Sequence, residues 1–162
     1  MSHLQYFAYK GVGEHNRRKY KYSQAVRVGD RIECAGQGTP HFPKIPSLPT
    51  VKTLIRMKGG WDPQTSTIPA ETSLQINQAF ANVAHNLKDA GGTGWGQVFR
   101  VNSYHVPLDE EALECMVRNF KKYMPRHEPI WTCVGVSGLG EEEMRVEIEV
   151  SAHVPPGPEL DM

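Results

Sequence analysis

Met144-Arg145-Val146-Glu147-Ile148-Glu149-Val150-Ser151-Ala152-His153-Val154 places an apolar residue at every second position. A period of two marks a β-strand with one buried and one polar face. The polar face carries two acids, Glu147 and Glu149, two residues apart on one side. Two readings of that face stay open: a solvated surface, or the wall of a pocket or subunit boundary where one carboxylate does chemistry. Just before it, Pro129-Ile130-Trp131-Thr132-Cys133-Val134-Gly135-Val136 is rich in β-branched and aromatic residues and predicts a second strand. The connecting Ser137-Gly138-Leu139-Gly140-Glu141-Glu142-Glu143 is glycine-bearing and acidic, which predicts that the two strands form a hairpin.

Upstream the period changes. Ile76, Phe80, Val83, Leu87 and Ala90 recur at three- and four-residue steps, and Gly91-Gly92 closes the run, predicting an amphipathic helix. Asp109 is the expected N-cap of another helix, with Glu110 and Glu111 in its first turn. Leu113, Met116 and Phe120 form its expected buried stripe, and Pro125 stops it. Between the two helices, Gln97 to Val106 reads as a strand. At the other end, Leu4 to Tyr9 alternates weakly as an opening strand, and residues 11–21 read as a polar loop. Ser23 to Val28, Gly29-Asp30, and Arg31 to Gly36 read as strand, tight turn, strand.

From Pro40 to about Gly60 the pattern dissolves among four prolines and closes on Gly59-Gly60, an insertion loop too long to be a mere connection. Trp61-Asp62-Pro63-Gln64-Thr65 follows as a turn. The order of elements predicts an α+β, two-layer sandwich: one mixed β-sheet with two helices on one face. The other face has no helical layer, so sheets are expected to pack together in an oligomer.

The chain's 162 residues fit a single domain, 1–162, with a flexible tail from about 155 to 162. Eighteen basic residues balance eighteen acidic ones, so no basic field exists to hold a nucleic acid backbone. No apolar run approaches the roughly 20 residues of a membrane span. Met1 to Gln5 has neither the basic start nor the apolar run of a secretory signal, and a cytoplasmic, reducing setting is the expectation. Cys34, Cys115 and Cys133 are odd in number and widely spaced, fitting neither a disulfide framework nor a zinc knuckle. His105 and His153 alternate with apolar residues and read as structural histidines. No metal site is expected.

Tyr22-Ser23-Gln24-Ala25-Val26-Arg27-Val28-Gly29-Asp30, followed by Cys34-Ala35-Gly36-Gln37, resembles the opening of the RidA family, also called YjgF/YER057c/UK114. Trp61 to Thr65, the Gln78 to Asn82 helix, Val134-Gly135-Val136 and Val146-Glu147-Ile148-Glu149 fall in the family's order, so the match covers roughly Tyr20 to Val154. The resemblance implies a chorismate-mutase-like fold assembled as a homotrimer, with small-molecule clefts between subunits. It also implies hydrolysis of imine or enamine intermediates to 2-oxo acids and ammonia, with no cofactor.

Carried over residue by residue, the resemblance makes Glu147 the acid that positions the attacking water. Tyr22, Gly36 and Cys133 become substrate-binding positions, Cys133 through its backbone. The arginine expected two residues before Cys133 is here Trp131. Arginine grips a carboxylate with a permanently charged fork, so its loss predicts discrimination against small 2-imino acids. Lys44, Lys52, Arg56 and Lys58 of the long loop are the candidates for a substitute cation. Three functions stay open: hydrolysis at a C=N bond, non-hydrolytic small-molecule binding with Trp131 as a stacking wall, and endoribonuclease activity. Neutral charge makes the third the weakest.

Overall fold

The computed structural model describes residues 2–38 and 68–155. The expected insertion loop, its four basic residues, the Trp61 to Thr65 turn and nearly all of the tail lie outside them. Six strands form one sheet: β1 (Gln5–Phe7), β2 (Ala25–Val28), β3 (Arg31–Gln37), β4 (Val98–His105), β5 (Ile130–Gly135) and β6 (Val146–His153). Three helices accompany them: α1 (Val12–Tyr20), α2 (Thr72–Asp89) and α3 (Glu110–Tyr123). The strand order is β1-β2-β3-β6-β4-β5, all pairs antiparallel except β4 with β5. The architecture is α+β with a mixed sheet, as expected. Among the described residues no helix is long and apolar enough to cross a membrane.

β6 lies inside the sheet, and its complete alternation sets one face wholly toward the core. Val146, Ile148, Val150 and Ala152 are all buried, which suits a strand with neighbours on both edges. It pairs with β3 on one side and β4 on the other. The expected hairpin between β5 and β6 is therefore wrong: β5 sits at the far edge, parallel to β4. Its open-face residues Ile130 and Val134 are 58% and 39% exposed, as an edge strand allows.

The apolar face of β6 meets α2, whose stripe of Ile76, Phe80, Val83 and Leu87 is wholly buried. Phe80 stacks on Trp95 at 4.5 Å between centroids and meets Phe120 edge-on at 5.6 Å. Gly91, at φ +86°, ends α2, and the Gly92 amide donates back to the Leu87 carbonyl at 2.8 Å. Asp109 caps α3, accepting from the Ala112 amide at 2.9 Å.

Two local expectations fail. The buried face of α3 is Ala112, Cys115, Met116 and Asn119, while Leu113 is 39% exposed. The helix is rotated because its contact with α2 is polar: Asn119 Nδ2 donates to Asn77 Oδ1 at 2.8 Å. The stretch read as a polar loop contains α1, which buries only Val12, Gly13 and Asn16. With no apolar stripe, it is sustained by docking and by charge order. Glu14 lies in its first turn, Arg17, Arg18 and Lys19 in its last, and Lys21 stops it at φ 57°.

His105 is fully buried on the helical side of β4. Its Nε2 shares a 2.9 Å hydrogen bond with Ser103 Oγ, and its Nδ1 has no partner among the described residues. Burial lowers its pKa below the ordinary 6.5, against a smaller opposing pull from Asp109. The fold therefore favours the neutral ring. Its stability is complete above about pH 6.5 and falls below it, where the unfolded chain takes up a proton that the fold resists. Thermal melting followed from pH 7.5 to 5.5 is expected to show falling Tm, with a shallower slope in His105→Gln. An unchanged slope would assign the effect to other groups.

Candidate functional site

Between Cys34, paired with Val150, and Gln37, paired with Ile148, β3 takes three steps while β6 takes two. The extra residue is a β-bulge, a device that bends a strand and redirects its neighbours. Glu147, on the open face of β6, lays its side chain over this bulge. A Cβ built on Gly36 would fall 2.6 Å from Glu147 Cγ and overlap Oε1. Only glycine leaves that space.

The Glu147 carboxyl is half-buried and makes no hydrogen bond among the described residues. Burial chiefly, then the Glu149 charge, raises its pKa above the ordinary carboxylate value. Glu149 is differently placed, accepting from Asn102 Nδ2 at 2.7 Å. Of the two acids on this face, one is held by an amide and one is left open to a ligand or water.

Glu147 lines a cavity of about 340 Å³ that also reaches α1, Gly36 to Gly38, and the 140–144 segment. Its rear wall is a hydrogen-bonded chain of buried amides and the Tyr9 phenol that ends on the exposed Tyr22. Tyr9 O–H donates to Gln37 Oε1 at 3.2 Å, and Gln37 Nε2 donates to Gln24 Oε1 at 2.9 Å. Gln24 Nε2 and Asn16 Nδ2 then both donate to the Tyr22 hydroxyl oxygen, at 3.3 and 3.0 Å. With both lone pairs occupied, Tyr22 can only donate onward. The cavity thus contains a hydrogen-bond donor and a carboxylate whose pKa is raised.

Helix α2 braces this wall. Asn86 Nδ2 donates to the Gln24 carbonyl at 2.8 Å, and Asn82 Nδ2 to the Gly38 carbonyl at 2.9 Å. Gln75 fixes the approach to β6 by donating to the Glu143 carbonyl and accepting from the Arg145 amide, both at 2.8 Å.

Tyr22, Gly36 and Glu147 line this one cavity, whereas Trp131 and Cys133 do not. Their strand register sets them beside Val101 and Ser103, buried on the helical side of the sheet. The Trp131 ring meets Phe120 edge-on at 4.9 Å, and its Nε1 donates to Ser103 Oγ at 2.9 Å. A large apolar ring follows the buried aromatic cluster rather than the polar face. Trp131 is not among the residues that line this cavity. Cys34 is buried, and its thiol is pushed up to about 12, chiefly by burial, so it supplies no thiolate near neutral pH. Among the described residues no cluster of His, Cys, Asp or Glu could hold a metal ion.

Sequence reading missed Tyr9, Asn16, Gln24 and Gln37 as site residues. A usable signal was present: Gln24 and Gln37 are themselves members of the two opening motifs, and Gln37 directly follows Gly36.

No curated protein matches the chain. Solved structures do resemble it. Rv2704 of Mycobacterium tuberculosis, a YjgF/YER057c/UK114 protein, is 19% identical with a TM-score of 0.66, over 93% of this chain and 99% of that one. YEO7 of yeast is 18% identical with a TM-score of 0.68, over 94% and 99%. TdcF of E. coli, solved with bound serine, is 23% identical with a TM-score of 0.62, over 83% and 88%. At such identities these likenesses speak for the fold. A family model described as endoribonuclease L-PSP matches residues 50–154, well over half of the sequence. The chain belongs to this family, the YjgF/YER057c/UK114 group.

Proposed function

We propose that the chain hydrolyses an imine or enamine at the cavity beside Gly36, with Glu147 as the group that positions and deprotonates the attacking water. The observation that carries this reading is the Glu147 carboxyl: half-buried, unbonded among the described residues, raised in pKa, and in one cavity with the Tyr22 hydroxyl. A carboxylate with raised pKa is a better base near neutral pH than an ordinary one.

In this mechanism an enamine takes a proton on carbon, or an imine a proton on nitrogen, to become the iminium. Water then adds to the C=N carbon while Glu147 accepts its proton, and Tyr22 donates a hydrogen bond toward the nitrogen. The carbinolamine expels ammonia, with the proton returned from Glu147, and leaves a carbonyl. The step needs no electron acceptor and uses no cofactor. The same reading makes the chain a homotrimer, supported by a sheet face opposite the one that α2 covers.

The family's description raises phosphodiester cleavage as a second reading. Zero net charge and an acidic cavity wall oppose a polyanionic substrate.

The test generates imines in place, from amines and amino acids, with an oxidase, and follows carbonyl and ammonia release with and without the protein. Faster release of both products is expected. Decay no faster than in buffer, for both kinds of imine, overturns the reading. Light scattering on the same sample is expected to give the mass of three chains, and a monomer overturns the trimer.

A further inference from the structure

We infer that the cavity selects an imine without a carboxylate, taken as the neutral imine or its protonated iminium. This rests on the hydrolytic reading above. Among the described residues on its wall, the charged side chains are Glu141 and Glu147, and none is lysine or arginine. A 2-imino acid would bring its carboxylate between two acids with no lysine or arginine among the described wall residues to pair with it, an unfavourable like-charge arrangement; Lys19, near enough to feel the Glu141 charge, is not part of that wall. An iminium meets the opposite field.

The aromatic lining points the same way. Tyr9, Tyr20 and Tyr22 line the cavity, and phenol rings attract cations through their faces. The Tyr20 ring already draws one: Lys19 Nζ stands over it, 4.8 Å from the centroid. Lys19 itself is fully exposed, so solvent and salt screen what it could offer an anion inside. The volume of about 340 Å³ suits a compact group such as an arylalkyl chain.

The reaction balances without an oxidant. An iminium R–CH=NH2+ and water give R–CHO and NH4+; the carbonyl oxygen comes from water, and nitrogen leaves carrying the proton returned from Glu147. The substrate must be supplied by two-electron oxidation of a primary amine, not of an amino acid.

The experiment compares kcat/KM for two imines differing only in the carboxylate: one released from 2-phenylethylamine by an amine oxidase, the other from phenylalanine by an amino-acid oxidase. It is run at about pH 8, with both imines at the same pH. The amine-derived imine is expected to be favoured about tenfold or more. Equal or reversed preference overturns the inference.

A calorimetric arm does not depend on turnover. The 2-phenylethylammonium ion is expected to bind more tightly than 3-phenylpropanoate, and Glu141→Gln to weaken it roughly threefold. The anion binding as well or better, or neither binding, overturns the inference. A cation preference without imine turnover supports the charge selection and overturns hydrolysis instead.

Discussion

Glu147→Gln is expected to lower imine hydrolysis about 10²- to 10⁴-fold, the scale of losing a general base, while the fold and assembly persist. Amide and carboxylate are nearly equal in size, so the space over Gly36 stays filled. Glu149→Gln is the control. Its amide oxygen can still accept from Asn102, and turnover is expected within a few-fold of the parent. The two variants also separate in pH dependence. The base works ionised, so activity rises with pH through a limb lying above the ordinary 4.5, because burial and Glu149 raise the Glu147 pKa. Removing the Glu149 charge shifts that limb to lower pH. Equal losses of turnover in both variants would sink the assignment of Glu147, as would an unchanged rate in Glu147→Gln with a reduced Tm.

Gly36→Ala is expected to be nearly as damaging, although it adds one methyl group. That methyl falls 2.6 Å from Glu147 Cγ, so the side chain must swing off the bulge. A flexible glutamate can do so, and the expected stability loss is modest, about 1 kcal/mol, at the low end for overpacking. Turnover should nonetheless fall about 10²-fold or more, because a base displaced by an ångström loses its geometry. The decisive measurement is the double variant. If Gly36 acts by placing Glu147, then Gly36→Ala in the Glu147→Gln background should add little further loss. Additive losses would mean that the glycine serves the cavity in another way.

The strength of a local pattern decided what could be read from sequence. The alternation of β6, the stripe of α2 with its closing glycines and the Asp109 cap are each strong local signals, and each stands in the structure. Alternation fixes the faces of a strand but not its neighbours, so adjacency in sequence was mistaken for pairing between β5 and β6. In Ile130-Trp131-Thr132-Cys133-Val134 both faces are nearly equally apolar, leaving nothing to say which way Trp131 turns. Helix α1 has no stripe, and its stability comes from contacts that only the fold supplies. Tyr22, Gly36 and Glu147 were nameable because motifs marked them. The amide chain behind Tyr22 belongs to three separate segments, and no local pattern joins them.

The place of β6 has a consequence for how the protein is made. This strand is synthesised after every other strand of the sheet, yet it is the seam on which two halves close: the β1-β2-β3 meander and the β4-α3-β5 unit. Until it arrives, β3 and β4 each hold an open edge on the nascent chain, and the pairings that close them span more than a hundred and about forty to fifty-five residues respectively. Such distant closures are slow relative to local ones. A chain that has emerged as far as Met144, with β6 still to follow, would therefore display two open strand edges.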